Sequence, residues 1–190
     1  MMMGEKFFRE INENCWDPEV RIREYQKYHT QVQVVCTIPV LFAYFAKPQD
    51  GLEVSKFLND DVAELINKYP KNYIGLGTIP MQSPELAVRE LERLKKNGLK
   101  GVQIGSNIDD INLSDPAFYP IWESCEKLDL AVLVHPWNMM GQKHMGRYWL
   151  PWLVGMPAET SRAICSLIFG GIFDKYCLLY TSDAADDCWS

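Results

Sequence analysis

Two kinds of apolar pattern alternate along the chain. Short runs rich in β-branched residues read as strands buried on both faces: Val32-Gln33-Val34-Val35-Cys36-Thr37-Ile38, Tyr73-Ile74-Gly75-Leu76-Gly77-Thr78-Ile79, Gly101-Val102-Gln103-Ile104-Gly105 and Leu130-Ala131-Val132-Leu133-Val134. Between them lie segments of helical period. Asp17-Pro18-Glu19 combines an N-cap, a proline at the first helical position and a first-turn acid. It opens a helix carrying Val20, Ile22, Tyr25 and Tyr28 to about His29. A longer helix is expected from about Pro48 to Tyr69, with Leu52, Phe57, Leu58, Val62, Leu65 and Ile66 on its apolar side. Ser83-Pro84-Glu85 repeats the cap grammar, Leu86, Leu91 and Leu94 mark the next core face, and Asn97-Gly98 stops that helix. Asp115-Pro116 opens another, through Trp122 and Leu128; Gly155-Met156-Pro157-Ala158-Glu159 opens one more, ended by Gly170-Gly171.

The later strands recur about every 30 residues, the cadence of βα units around a parallel sheet. Two architectures share that cadence, an open doubly wound sheet and a (β/α)8 TIM barrel. A complete barrel needs roughly 250 residues. Four strands in 190 residues would therefore be about half of one.

Composition narrows the classes further. Hydrophobic residues make up 47% of the chain, enough for a packed core, and the net charge of −6 carries no basic footprint for nucleic acid. The six cysteines, Cys15, Cys36, Cys125, Cys165, Cys177 and Cys188, form no C-x-x-C pair, so zinc-finger and thioredoxin-like readings fail and single thiols in a reducing compartment are expected. The N-terminus has no signal-peptide pattern, and the longest apolar stretch, Ala163 to Phe173, is too short and glycine-broken to span a bilayer. The expectation is a cytoplasmic protein that binds neither membrane nor nucleic acid.

The chemistry concentrates where the fourth strand ends. His135-Pro136-Trp137 delivers an imidazole to the C-terminal end of a buried strand, and the proline stops the strand one residue later. In parallel α/β folds that edge gathers metals and substrates, and a neutral imidazole can ligate zinc. A histidine that only satisfies a nearby backbone group is the competing reading. Gly75-Leu76-Gly77 lacks the third glycine of a dinucleotide fingerprint and reads as tight packing. His29 reads as a surface imidazole at a helix end, and His144 lies in a glycine-flanked polar loop. Tyr148-Trp149-Leu150-Pro151-Trp152-Leu153-Val154 is unusually aromatic for a loop, fitting either core packing or an aromatic wall facing a planar substrate. Arg9 could be a solvated surface residue or a bidentate carboxylate clamp.

The segment from Glu13 to Glu24 resembles the aminocarboxymuconate-semialdehyde decarboxylase family. So do Gly75 to Gln82, Gly101 to Gly105, His135-Pro136-Trp137 and the block Tyr148 to Thr160, all in register. The resemblance covers about Lys6 to Tyr176. It implies a metal-dependent (β/α)8 fold of the amidohydrolase type and a single zinc. It also implies non-oxidative decarboxylation of 2-amino-3-carboxymuconate 6-semialdehyde on the kynurenine route of tryptophan breakdown, limiting quinolinate and NAD synthesis. The family's zinc is held by an H-x-H pair on the first strand, a histidine ending the fifth, and a late aspartate. A further histidine, ending the sixth strand, acts on the metal's water. By resemblance, His135 is the fifth-strand ligand, Arg9 binds the substrate carboxylate, and Trp152 and Met139 line the substrate pocket. Full-length members are expected to be homodimers. Asn138 stands where the family usually has aspartate, and the loop Met140 to Gly146 departs from the pattern.

No H-x-H occurs anywhere in this sequence. On the family's plan the chain carries about strands 2–5 with their helices, without the first strand and the C-terminal half. The expectation is thus an incomplete active site, with no stoichiometric zinc and no activity from this polypeptide alone. A partial barrel domain is expected over residues 1–176. Residues 177–190, beginning Cys177-Leu178-Leu179-Tyr180-Thr181-Ser182, resemble the translation of a transposase sequencing adapter and are expected to be a non-native tail. A non-catalytic short isoform that pairs with a full-length subunit, and a related amidohydrolase-type aromatic-acid decarboxylase, are the alternatives.

Overall fold

The computed structural model describes residues 2–3, 6–7 and 10–177. Its centre is a sheet of four parallel strands, β1 (Gln33–Val35), β2 (Tyr73–Gly77), β3 (Gly101–Gly105) and β4 (Ala131–His135). Each strand pairs with its predecessor, so the order in the sheet is the order in the chain. A doubly wound sheet reverses strand order at a switch point. Here no reversal occurs, which selects the barrel arrangement and gives an α/β partial barrel.

The helices are α1 (Pro18–Gln26), α2 (Pro48–Lys68), α3 (Pro84–Lys96), α4 (Tyr119–Lys127), α5 (Met156–Phe169) and the one-turn α6 (Ile172–Lys175). Helix α3 packs against both α2 and α4. The pairing of Gly77 with Val102 and of Val102 with Val132 places these residues on one face of the sheet. That face meets the helices: a Cβ on Gly75 would sit 2.6 Å from Val62 Cγ1, and one on Gly77 2.7 Å from Asn59 Oδ1. The glycines read from sequence as tight packing are the points where α2 comes closest to the sheet. Leu91, Leu94, Leu99, Val102, Ile104, Ile121 and Trp122 form the fully buried centre of this layer.

Local signals explain most boundaries. The Asp17 carboxylate accepts from Glu19 N (2.8 Å) and Val20 N (3.0 Å), capping α1. Gly98 and Gly171 turn the chain at φ +90° and +68° after α3 and α5, a region open to glycine without strain. Asn59 ties α2 to the end of β2. Its Nδ2 donates to Thr78 O (2.9 Å) and Glu90 Oε1 (2.6 Å), and its Oδ1 accepts from Thr78 N (2.7 Å). Arg93 neutralises the buried Glu90 through Nε (2.9 Å) and Nη2 (2.8 Å).

Four expectations differ from what is observed. Helix α1 stops at Gln26, and His29 lies in the following turn at φ +60°. The run Val32 to Ile38 forms only a three-residue strand, and Val34 is 60% exposed. Strand β1 has one neighbour among the described residues, and on the face away from the helices nothing described covers Val34. Phe57 is 75% exposed because the buried stripe of α2 runs through Leu52, Ser55, Asn59, Ala63 and Ile66 and Phe57 falls off it. Ser83 precedes α3, but its hydroxyl makes no cap bond. Asp115 does cap as expected, accepting from Ala117 N (2.9 Å), although the turn it opens is a short 3-10 segment leading into α4.

Candidate active site

His135 is the last residue of β4, paired with Gly105 at the C-terminal edge of the sheet. Its carbonyl accepts from Ser106 N (2.9 Å). Pro136 follows and has no N–H with which to extend the ladder. The imidazole is half-buried, and its Nδ1 lies 2.8 Å from Pro136 O. A carbonyl oxygen can only accept, so Nδ1 carries the proton, and in the neutral ring Nε2 keeps its lone pair. That is the tautomer ligation through Nε2 requires. The two readings of this residue are compatible, since the backbone bond occupies only one ring nitrogen.

An aromatic cluster seats this edge. Phe42 and Tyr44, from the segment after β1, meet Trp137, with ring centroids 5.3 Å apart for Phe42–Tyr44, 5.6 Å for Phe42–Trp137 and 6.1 Å for Tyr44–Trp137. Tyr44 Oη accepts from Gly105 N (3.0 Å). Burial pushes the Tyr44 phenol well above its ordinary range, and the Gly105 bond only partly offsets this, so it stays neutral. A Cβ on Gly105 would lie 3.0 Å from both Trp137 Cβ and Tyr44 Cε2. Glycine at this strand end lets the cluster close over it.

The loop after His135 is held by polar groups. Trp137 N donates to Ser106 Oγ (2.9 Å), and Asn107 Nδ2 donates to Trp137 O (2.7 Å) and to Glu159 Oε1 (2.9 Å). Met140 N donates to Glu159 Oε2 (3.2 Å). Glu159 is fully buried in the first turn of α5 and is paired with Arg162 at 3.0 Å. Asn138 adopts φ +44°, a conformation asparagine tolerates better than most residues.

Met139 is half-buried against the turn that precedes α5: a Cβ on Gly155 would lie 3.2 Å from Met139 Cβ. That turn, Pro151–Gly155, is π-helical and carries Trp152. Trp152 is 54% exposed and meets Trp149 edge-on at 4.9 Å. Tyr148 and Trp149 both have left-handed backbones, φ +59° and +57°, and both are exposed. Bulky aromatics seldom adopt that region. Among the described residues the segment presents the rings of Tyr148, Trp149 and Trp152 outward.

The structure thus brings Met139 against the turn that carries Trp152, and joins both to the His135 strand through the 136–140 loop. Arg9 lies outside the described residues. His144 is exposed in a short 3-10 turn, Gln142–His144, and takes no part in this arrangement. A cleft of about 590 Å³ lined by Cys15, Arg21, Cys36, Tyr69 and Tyr73 contains none of the expected site residues. Among the described residues, no three His, Cys, Asp or Glu side chains converge to hold a metal ion. His135 Nε2 fits a metal as one donor, and the described residues do not complete the set.

Sequence reasoning missed Ser106, Asn107, Glu159 and Tyr44. An acid in the first turn of a helix ordinarily reads as a surface residue facing the dipole. Only the fold shows that Glu159 points inward to the end of β3. Tyr44 sits in a segment without periodicity, and nothing in its neighbours announces a contact with a strand some sixty residues later.

Consecutive parallel strands with polar side chains and long loops gathered at their C-terminal edge define a (β/α) barrel scaffold with its site at the strand ends. The chain belongs to the amidohydrolase family, which it matches over residues 11–178. It is 54% identical over 176 residues to 2-amino-3-carboxymuconate-6-semialdehyde decarboxylase of Dictyostelium discoideum, an alignment covering 92% of this chain and 49% of that protein. The decarboxylase of the same name from Caenorhabditis elegans is 32% identical over 222 residues, covering 90% and 55%. Among solved structures, a dihydroxybenzoic acid decarboxylase from Polaromonas, with bound manganese and the inhibitor 2-nitroresorcinol, superposes with a TM-score of 0.78 at 26% identity. The match covers 86% of this chain and 53% of that one. The chain spans about half the length of the curated relatives it matches.

Proposed function

We propose that this chain is the strand 2–5 portion of a zinc-dependent decarboxylase of 2-amino-3-carboxymuconate 6-semialdehyde, acting in the cytoplasm on the kynurenine route and assembling as a homodimer when full length. The observation that carries the reading is His135. It ends a parallel strand with its Nδ1 on the Pro136 carbonyl, which leaves Nε2 available in the neutral ring, within a chain 54% identical to a decarboxylase of that substrate. Zinc, when bound, supplies Lewis acidity and makes its water acidic near neutral pH.

The residues of this chain take the remaining tasks. His135 Nε2 would hold the metal. The Arg9 guanidinium would grip a substrate carboxylate through paired charge-assisted hydrogen bonds. Met139 and Trp152 would wall the pocket, with Trp152 offering a flat apolar face to the conjugated substrate. Cleavage of the bond to the departing carboxylate leaves an electron pair on the substrate carbon, which takes up a proton as carbon dioxide departs. Fixing that carboxylate and the conjugated plane against each other is the work of Arg9 and Trp152.

The test uses the full-length protein recovered from the transcript, with His135→Ala and Trp152→Ala, assayed on the semialdehyde and on dihydroxybenzoic acids. The expected result is turnover of the semialdehyde only, loss of bound zinc and activity in His135→Ala, and at least about a tenfold fall in kcat/KM for Trp152→Ala. Turnover of a dihydroxybenzoic acid instead, or unchanged zinc content in His135→Ala, would overturn the reading.

A further inference from the structure

Glu159 is a buried carboxylate that the proposed chemistry does not use, and the contacts around it hold the loop that follows His135. The Ser106 hydroxyl lies 3.0 Å from Glu159 Oε1 and 3.2 Å from Trp137 O. It has one proton to give, and the nearer, charged acceptor takes it. With its hydrogen so directed, Ser106 Oγ presents lone pairs to the Trp137 N–H at 2.9 Å. That N–H belongs to the Pro136–Trp137 peptide, whose other end is the Pro136 carbonyl. The peptide is planar, so fixing its N–H fixes the direction of its C=O. The Pro136 oxygen is the group that receives the His135 Nδ1 proton at 2.8 Å.

Three further bonds hold the loop beyond that peptide. Asn107 Nδ2 bridges Trp137 O and Glu159 Oε1, and Glu159 Oε2 takes the Met140 N–H at the far end of the loop. Arg162 balances the buried charge. The carboxylate thus holds both ends of the segment that carries Met139, and one of its partners orients the carbonyl that chooses the His135 tautomer.

We infer that Glu159 is a positioning residue that, through Ser106 and the Pro136–Trp137 peptide, locks His135 in the Nδ1–H tautomer with Nε2 free. Its significance for catalysis rests on the reading of His135 as a metal ligand. The tautomer lock itself does not depend on any metal.

The 190-residue chain, labelled with nitrogen-15 and kept metal-free in mildly alkaline buffer, reports the lock by long-range proton–nitrogen correlation of its three histidines. Variants His29→Gln and His144→Gln assign the His135 signals. Wild type is expected to show protonated Nδ1 and bare Nε2. Glu159→Gln keeps the shape but offers an NH2 in place of one acceptor oxygen. It is expected to shift the tautomer ratio by about tenfold toward Nε2–H, the scale of one lost hydrogen bond. Ser106→Ala should do the same from the other side, which keeps the test decisive if Glu159→Gln does not fold. Leu167→Ala, on the buried face of α5, lowers the thermal midpoint through packing alone and should leave the ratio untouched. A wild-type ratio retained in Glu159→Gln and Ser106→Ala would overturn the inference. So would an equal shift in Leu167→Ala. Zinc titrated into the full-length protein probes the other reading separately: perturbation of His135 Nε2 supports ligation, and its absence counts against ligation while the tautomer ratios still decide the role of Glu159.

Discussion

Replacing Gly105 by alanine adds one methyl at the crowded end of β3, and the structure sets the size of the response. The new Cβ would lie 3.0 Å from Trp137 Cβ, 3.0 Å from Tyr44 Cε2 and 3.2 Å from Trp137 Cγ. Relief requires both rings to retreat by several tenths of an ångström. Tyr44 is pinned by its bond to Gly105 N and by the fully buried Phe42, while Trp137 is tied at N and O to Ser106 and Asn107. Overpacking of this kind costs about 1–3 kcal/mol. Alanine also lowers the entropy of the unfolded chain, a gain of about 0.4–1 kcal/mol where the backbone is compatible, and Gly105 is not among the residues with positive φ. The expected net loss is about 1–2 kcal/mol, read as a lower urea midpoint at unchanged slope. Gly146 gives the matching control: a Cβ there meets nothing within 4 Å, so Gly146→Ala should hold or slightly raise the midpoint. Tryptophan fluorescence and far-ultraviolet circular dichroism should report the same transition in both variants. A midpoint for Gly105→Ala at or above wild type would show that the aromatic cluster yields freely and that the tight seating of this strand end is wrong.

The remaining predictions concern two buried groups, Asn59 and Cys125. Asn59→Leu strands Thr78 N and Thr78 O and removes one donor from the Glu90 carboxylate, which keeps Arg93, and should lower stability by about 2–4 kcal/mol in the same urea titration; a loss below about 0.5 kcal/mol would mean these groups find other partners. Burial pushes the Cys125 thiol from an ordinary 9.0 up to about 12. The folded state therefore keeps a proton that the unfolded state sheds, and this contribution to stability, complete below about pH 9, is lost as pH rises from there toward 12. At pH 8, alkylation followed by peptide mass spectrometry should label the exposed Cys15 and Cys165 and spare Cys125 until the chain unfolds.

Periodicity carried the parallel βα cadence, and proline and glycine marked where elements start and stop. Strand β3 runs Gly101–Gly105 as expected, and His135 stands at the end of β4 as its Pro136 demands. Pattern fails where burial depends on what covers a face. Val34 and Phe57 are as apolar as any core residue, yet both are exposed, because alternation and helical period say which residues share a side and not which side is covered. The site divides in the same way. His135 is legible because a lone imidazole after an apolar run is chemically conspicuous. Glu159, Ser106 and Tyr44 act through contacts spanning tens of residues, and each has an ordinary local explanation in the sequence. The Tyr148–Trp149 pair shows the opposite case, an odd composition whose meaning depended on finding the backbone left-handed and the rings outside.

The strand order has a consequence for how the fold is made. Each strand pairs with the one synthesised just before it, so no strand must wait for a partner still to be translated. At about 5–20 residues per second, the roughly 30 residues of one βα unit take seconds to emerge, long compared with the microseconds in which hairpin-scale pairing occurs. The sheet can therefore grow on the ribosome one unit at a time. The strand that carries His135 joins last of the four, so the edge it ends on is laid down on a template already folded.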